Sequence, residues 1–473
     1  MKGSFMHRML WVVMATFAIV IAGCSDSNYD PQSAFDLGKA YNPNKPIKVG
    51  QISPTTASQG SQVLIYGDNM GNDTSRIRLY LGGEKAVVIR SLGDAMLAIV
   101  PPQAYDNDDY SSSIKVEQVD TLGDVVASAV SDSLFHYIPK LLSSNYLGEK
   151  YENNTKYDIK DGPFDDCGGF ERLLWFCFDP LDPDMLYCAG ETHGFRYFDF
   201  KNKYVGTLSL TGIPNKNIQS VTFTLRGDLI VANYQNSDQA IGVYMLTRES
   251  DFKETHELVQ ARQVQSVCTH PENGRVYYTL TGLGEVWSVD PYNPEDIRRE
   301  QKMVRSGTGY NIVWHPTGDY CYITQFDRHT IWRADYNHDT EELGLPYTVA
   351  GTDNAGGWVD GVGTTVRLWK PWQGFFLKNP EYAGQEDEYD YYFSDNRNQC
   401  IRFLTPMGRV ETYAGHIDNG NKDFRGLRNG DLRTETLFFW PEAFVYDAKR
   451  NQMLVGDTGN NIIRRLGSEE KSK

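Results

Sequence analysis

Six apolar segments each open on a residue that can hydrogen-bond through an amide or a carboxylate. They are Glu171 before Arg172-Leu173, Gln219 before Ser220-Val221, Gln265 before Ser266-Val267, Asn311 before Ile312-Val313, Gln373 before Gly374-Phe375 and Glu442 before Ala443-Phe444. Such groups can hold the hydroxyls of a sugar, whereas a catalytic metal asks for clustered carboxylates or imidazoles, and amides are poor ligands for it. A second polar set falls in turns: His193, Tyr234, Arg328, His329, Asp395, Arg397 and Asp457. Four tryptophans, Trp358, Trp369, Trp372 and Trp440, lie just ahead of or at the last two openings. An indole face stacks on the apolar face of a pyranose while nearby amides and acids bond its hydroxyls. No Ser-His-Asp order is evident, and the two His-Pro steps, His270-Pro271 and His315-Pro316, fall in turns after a segment rather than at its start. The set points to a ligand pocket without cofactor or metal. The competing reading is that these groups satisfy one another, the backbone and water.

Only a repeat would bring six such openings together. Six units can be overlaid, among them "QSVTFTLRGDLIVANYQNSDQAIGVYML", "QSVCTHPENGRVYYTLTGLGEVWSVD", "NIVWHPTGDYCYITQFDRHTIWRAD" and "EAFVYDAKRNQMLVGDTGNNIIRRL". Each reads as an apolar strand, a turn of Gly, Pro, Asp or Asn, a second strand, a polar turn and a third strand. Their spacing of roughly 40–70 residues is that of β-propeller blades. Packing blades around an axis covers faces that one sheet cannot bury alone. The inner strands then start at one face, and the turn after each second strand returns there, so the candidate residues converge on a channel mouth. The sixth unit ends after its third strand. Its missing strand is expected from "KLLSSNYLGEKY" (140–151), which would close the ring and leave no open edge.

Two inter-blade segments, "GGWVDGVGTTVRLWKPWQGFF" and "GLRNGDLRTETLFFWPEAFVY", together with "SDNRNQCIR" and "GDTGNNIIR", resemble NHL-repeat propellers. The likeness is close in units five and six and loose before them. Six-bladed propellers of this kind include lactonases and lyases with metal at the mouth, so the resemblance keeps an enzyme of that type as the alternative to binding. Upstream, "ISPTTASQGSQVLIYGDNM", "YLGG" and "IVPP" resemble the IPT/TIG immunoglobulin-like family, whose members serve as spacers or interaction modules. Short alternating strands between 46 and 138 agree with a β-sandwich. "YDNDDY" (105–110) carries clustered oxygens, but without the Gly and Glu spacing of a calcium loop it reads as a solvated acidic turn.

The chain opens with Lys2 and Arg8, an apolar run from Met9 to Ile21, and "IAGC". That is the layout of a secretory signal, and "IAGC" resembles the bacterial lipobox, which implies lipidation of Cys24. Asp26 and Asp30 resemble the surface-export signal of Bacteroidota lipoproteins. Residues 25–45 are polar and aperiodic, as a tether is. The chain has 62 acidic and 46 basic residues, a net charge of −16, which argues against nucleic acid or anionic membranes as ligands. Of seven cysteines, Cys177 and Cys188 fall in consecutive strands of the first blade, where a disulfide is admissible, and Cys268, Cys321 and Cys400 read as buried thiols.

The expectation is an all-β chain: signal peptide 1–23, tether 24–45, an IPT/TIG immunoglobulin-like β-sandwich over 46–138, a six-bladed NHL-like β-propeller over 139–467, and a charged tail 468–473. By likeness to similarly built lipoproteins, it is expected in the outer membrane, lipid-anchored at the cell surface. There it would bind a glycan or a partner protein, without catalysis, beside a nutrient importer. The alternatives are a lyase or lactone hydrolase at the channel mouth, and a scaffold subunit with no small ligand.

Overall fold

The computed structural model describes residues 38–148, 160–168, 170, 172–190, 195–214, 216–303, 307–418, 420 and 424–471. Among them the regular structure is β-strand, with short 3-10 turns and no α-helix. The chain divides into two compact units, one reaching Lys140 and the other spanning Leu141–Glu469.

The first unit packs a seven-stranded sheet, in the order Lys48–Ser53, Gln62–Asp68, Ala95–Ile99, Glu84–Ser91, Ile77–Leu81, Ile114–Val119 and Val125–Val130, with a three-stranded one of Thr56–Ser58, Phe135–Ile138 and Ser111–Ser112. Strand alternation makes the core: Val63 and Ile65 point in, where Phe135 and Tyr137 of the smaller sheet meet them, while Leu64 and Tyr66 point out. In "YDNDDY", Asp106 and Asp109 accept from the backbone N–H groups of Ser113 and Ser111.

The second unit is six antiparallel sheets. Their inner strands are Trp175–Phe178, Ile218–Phe223, Val264–Thr269, Tyr310–Trp314, Pro371–Lys378 and Pro441–Asp447. Each touches the next in chain order and the last touches the first, so the ring is closed. Blades bury both faces. In the second strand of blade two, Leu229 and Val231 enter the core shared with blade one, while Ile230 and Ala232 enter the core shared with blade three. Period-two alternation therefore appears here as an unbroken apolar run.

The seam is made by the two ends of the unit. Leu141–Leu147 runs antiparallel to Ile462–Ser468, with Leu141 opposite Ser468, Ser143 opposite Leu466 and Asn145 opposite Arg464. The strand expected from 140–151 is thus in place, in a sheet whose far edge gains Gly430–Asp431.

The turns that suggested the repeat, after Asp395 and Asp457, are single 3-10 turns ending in left-handed Gln399 (φ 55°) and Asn461 (φ 59°). Asp395 and Asp457 are wholly buried, and each takes a wholly buried arginine of the next strand, Arg402 at 3.0 Å and Arg464 at 3.1 Å. Each aspartate also accepts from an amide side chain, Asn398 or Asn460, at 2.8 Å, and from a backbone N–H, of Trp369 (2.8 Å) or Phe439 (2.7 Å). Arg464 reaches further, to the carbonyls of Leu437 and Arg428 and to Ser143 Oγ (3.1 Å) of the closing strand.

The disulfide that the sequence allows between Cys177 and Cys188 is not formed. Phe176, not Cys177, stands opposite Cys188, and the two thiols lie on opposite faces of the sheet, packed into different cores. All six described cysteines are free thiols. Burial pushes Cys177 up to about 12 and Cys268 to about 11, which keeps them unreactive.

Removing one partner of a buried ion pair leaves an uncompensated charge. Arg464→Ala is expected to cost about 3–5 kcal/mol of unfolding free energy, measured by urea titration, and to cost more than Arg465→Ala, whose side chain lies partly in solvent.

Candidate functional site

The face on which the inner strands start carries an extra residue in four blades. The ladder with the second strand slips between Ile218 and Ser220, Val264 and Val267, Pro371 and Gly374, and Pro441 and Phe444. A bulge bends its strand and re-aims the side chains there. Gln219, Gln265, Gln373 and Glu442 occupy these bulges and are buried. Gln265 Nε2 donates to Gln219 Oε1 at 3.2 Å, and Gln219 Nε2 donates to Asn217 Oδ1 at 2.6 Å. Gln373 reaches past blade six: its Oε1 accepts from Phe176 N–H (2.8 Å) and Phe444 N–H (2.9 Å), and its Nε2 donates to Phe176 C=O (2.7 Å). It thereby satisfies the free inner edge of blade one. Glu442 is met by Arg172 Nε at 3.4 Å and by Asn396 Nδ2 at 3.5 Å.

The sequence suggested one polar level all round; two features break it. Blade four has no bulge, so Asn311 stays in the regular ladder opposite Thr324, buried in the wall with both amide atoms lacking a protein partner. Buried amides of that kind take water. In addition, Pro371 and Pro441 hold equivalent ladder positions, so Gln373 matches Ala443 while Glu442 matches Trp372.

Trp372 is a second correction. It is buried against Phe326, with ring centroids 4.3 Å apart, and its Nε1 donates to Leu174 C=O at 2.9 Å. Leu174, Phe326 and Trp372 come from blades one, four and five and form an apolar cluster that spans the ring, so Trp372 offers no face to a ligand. Gly309 makes room for it, since a Cβ there would lie 1.7 Å from the Phe326 ring. Asp395 and Asp457 are likewise committed to their arginines and do not line the mouth.

What the turns and inter-blade segments bring to the surface is an aromatic and basic rim over blades five and six. Trp369 is 45% exposed and Trp358 is 40% exposed. Trp358 stacks on His416 at 3.9 Å, His416 stacks on Phe424 at 4.1 Å, and Trp358 Nε1 donates to Thr412 Oγ1 at 2.9 Å. Arg397 lies over the Trp440 ring at 4.3 Å, and its backbone N–H donates to Trp369 C=O at 2.9 Å. Trp440 packs on Phe439 at 4.5 Å, over which Arg425 stands at 5.1 Å. His416, Phe424 and Phe439 escape a reading from strand starts because they sit in the long segments between blades.

His329 adjoins this rim. Its Nδ1 accepts from Lys370 N–H at 3.2 Å, and burial lowers its pKa. Arg328 is held by both carboxylate oxygens of Asp353, at 2.6 and 2.5 Å. Tyr234 of blade two is half-buried, and burial with the Asp327 carboxylate nearby raises its pKa. Glu171, His193 and Cys24 lie outside the described residues. The His-Pro histidines cap their own turns: His270 Nδ1 accepts from Glu272 N–H (3.2 Å) and Asn273 N–H (3.3 Å), and His315 Nδ1 accepts from Thr317 N–H (3.3 Å).

Fold and rim together define an all-β protein in which an immunoglobulin-like unit is followed by a six-bladed propeller with an aromatic mouth. Residues 47–137 match the IPT/TIG domain family. An auxiliary nutrient binding protein from Bacteroides ovatus is 41% identical over 91% of this chain and all of its own, with a TM-score of 0.75. One from Bacteroides thetaiotaomicron is 40% identical over the same shares, with a TM-score of 0.71. The chain belongs to the family of these two proteins. A third structure, a candidate phosphatase from Bacteroides thetaiotaomicron, is 28% identical over 92% of this chain and 99% of its own, at a TM-score of 0.72. No curated protein matches the chain.

Two outcomes are expected. Gln373→Leu strips partners from three buried backbone groups and should cost about 3 kcal/mol in a urea titration. His270, buried against Trp314 and Tyr336, has its pKa lowered from 6.5 to about 4 by desolvation, with Glu272, Asp319 and His338 facing it. The unfolded chain binds that proton more readily. The stability tied to neutral His270, on the order of 2–3 kcal/mol, is therefore whole above pH 6.5 and lost as pH falls toward 4. His270→Asn should flatten the fall in unfolding free energy between pH 7 and pH 4.5.

Proposed function

We propose that the protein is a nutrient-binding protein of the cell envelope that captures its ligand on the propeller mouth without turning it over. The observation that carries this reading is the division of polar and aromatic groups. The buried ring of Gln219, Gln265, Gln373 and Glu442 is consumed by structure, whereas Trp358 and Trp369 are partly open to solvent and Arg397 lies over Trp440. Exposed indoles on a rigid rim suit a saccharide, which offers an apolar face and a fringe of hydroxyls. The two auxiliary nutrient binding proteins that share 41% and 40% of residues with this chain support binding in the service of uptake. In this reading Cys24 carries the lipid anchor at the outer membrane, residues 46–138 act as spacer, and the partner is an outer-membrane importer. A protein ligand on the same rim is the other form of this reading.

Affinity electrophoresis or calorimetry against a panel of polysaccharides tests it. Trp358→Ala and Trp369→Ala should each weaken the best ligand by about tenfold with the thermal midpoint little changed. Silence on every polysaccharide would leave the protein-ligand form alone. The phosphatase name of the third relative makes hydrolysis of p-nitrophenyl phosphate the matching control, and turnover there would replace binding with catalysis.

A further inference from the structure

We propose that the saccharide held at this rim is acidic, and that the Arg397 guanidinium receives its carboxylate or sulfate. This rests on the binding reading above and adds the chemical class of the ligand. Four cations near the rim have carboxylate partners: Arg328 with Asp353, Lys370 with Asp327 at 3.0 Å, Arg172 with Glu442, and the buried Arg402 with Asp395 and Asp360. Arg397 has none among the described residues; its side chain meets only the Trp440 ring. In a chain with 62 acidic against 46 basic residues, a half-buried guanidinium left without a counter-charge stands out.

The turn itself does not ask for it. Blades five and six build the same turn from Asp395 and Asp457, Asn398 and Asn460, left-handed Gln399 and Asn461, and Arg402 and Arg464. The residue of blade six equivalent to Arg397 is Gly459. The side chain at 397 is therefore free of folding duty, while its backbone is bonded to the Trp369 carbonyl and its guanidinium lies over the Trp440 ring. The Trp440 ring beneath it leaves the planar fork of N–H groups able to make paired hydrogen bonds to a carboxylate or sulfate. Trp369, next along, supplies the face for the sugar ring.

The net charge of −16 is no objection, because recognition is local and carboxylates of these blades are engaged: Asp395 by Arg402, Asp327 by Lys370, and Glu442 by Arg172. An acidic polymer approaching a chain of this overall sign would associate more slowly at low salt, yet lose affinity with added salt once its oxyanion is paired with Arg397.

The experiment is calorimetry of the full chain with polygalacturonate (carboxylate only), carrageenan (sulfate only) and neutral galactan, using wild type, Arg397→Gln and Arg397→Lys. Gly459 shows that the turn tolerates the loss of the side chain. The expected result is binding of polygalacturonate or carrageenan, the preferred one identifying the oxyanion, with Arg397→Gln weaker by about tenfold or more and Arg397→Lys in between. Binding of galactan alone, or of an acidic polymer with Arg397→Gln unchanged, overturns the proposal and leaves saccharide binding standing. No binding to any of the three overturns both the acidic ligand and the saccharide reading on these polymers.

Discussion

The second unit depends on one seam. The sixth sheet of the ring is completed only if the two ends of the unit pair, and here Leu141–Leu147 lies along Ile462–Ser468. Were that seam open, a full ladder of N–H and C=O groups would face water or another chain. Hydrogen bonding alone does not hold the seam. Arg464, fully buried, ties its own strand to Asp457, to Ser143 of the closing strand and to the inter-blade segment at Arg428 and Leu437. A buried ion pair is costly to create and more costly to break. Its value here is specificity, since only one register brings Ser143 and Asp457 to one guanidinium.

The same economy explains what the mouth can and cannot do. Inner strands expose one edge to the channel, and those backbone groups need partners. Gln373 supplies them to blade one and blade six, and the Leu174, Phe326 and Trp372 cluster fills space that a hollow ring would leave to water. Polar groups at the strand starts, Gln373 above all, are therefore committed to closing the ring. Exposed aromatic surface is left to the long segments before blades five and six. Each lends only a two-residue strand to its sheet, Gly361–Val362 or Gly430–Asp431, and together they carry Trp358, Trp369, His416 and Trp440.

Much of this was legible in residue order. Asp, Asn and Gly clusters between apolar runs marked the turns, and the run at 140–151 was recognisable as the strand that the sixth blade lacked. The Ile401-Arg402 and Ile463-Arg464 steps flagged the repeat. Their meaning was hidden: the pattern does not say that each arginine turns inward to the aspartate seven residues before it. Nor does it disclose bulges, which add one residue without leaving a mark in composition. Gln373 and Glu442 occupy different levels for a simpler reason, since one stands two residues and the other one residue after its equivalent proline. The disulfide suggested for Cys177 and Cys188 failed for a related reason: neighbouring strands do not make neighbouring side chains unless register and face agree.

By itself the sequence determined the local elements, the repeat and the chain ends that must meet, because turn chemistry, strand alternation and the need to bury apolar faces act over short stretches. Which tryptophan is a plug and which is a platform was decided only in three dimensions. Trp372 and Trp369 stand three residues apart in nearly the same context, but a bulge turns one toward Phe326 while the turn at Arg397 leaves the other in solvent. Burial depends on what arrives from other blades, and that is fixed by the closed ring rather than by any neighbour in the chain.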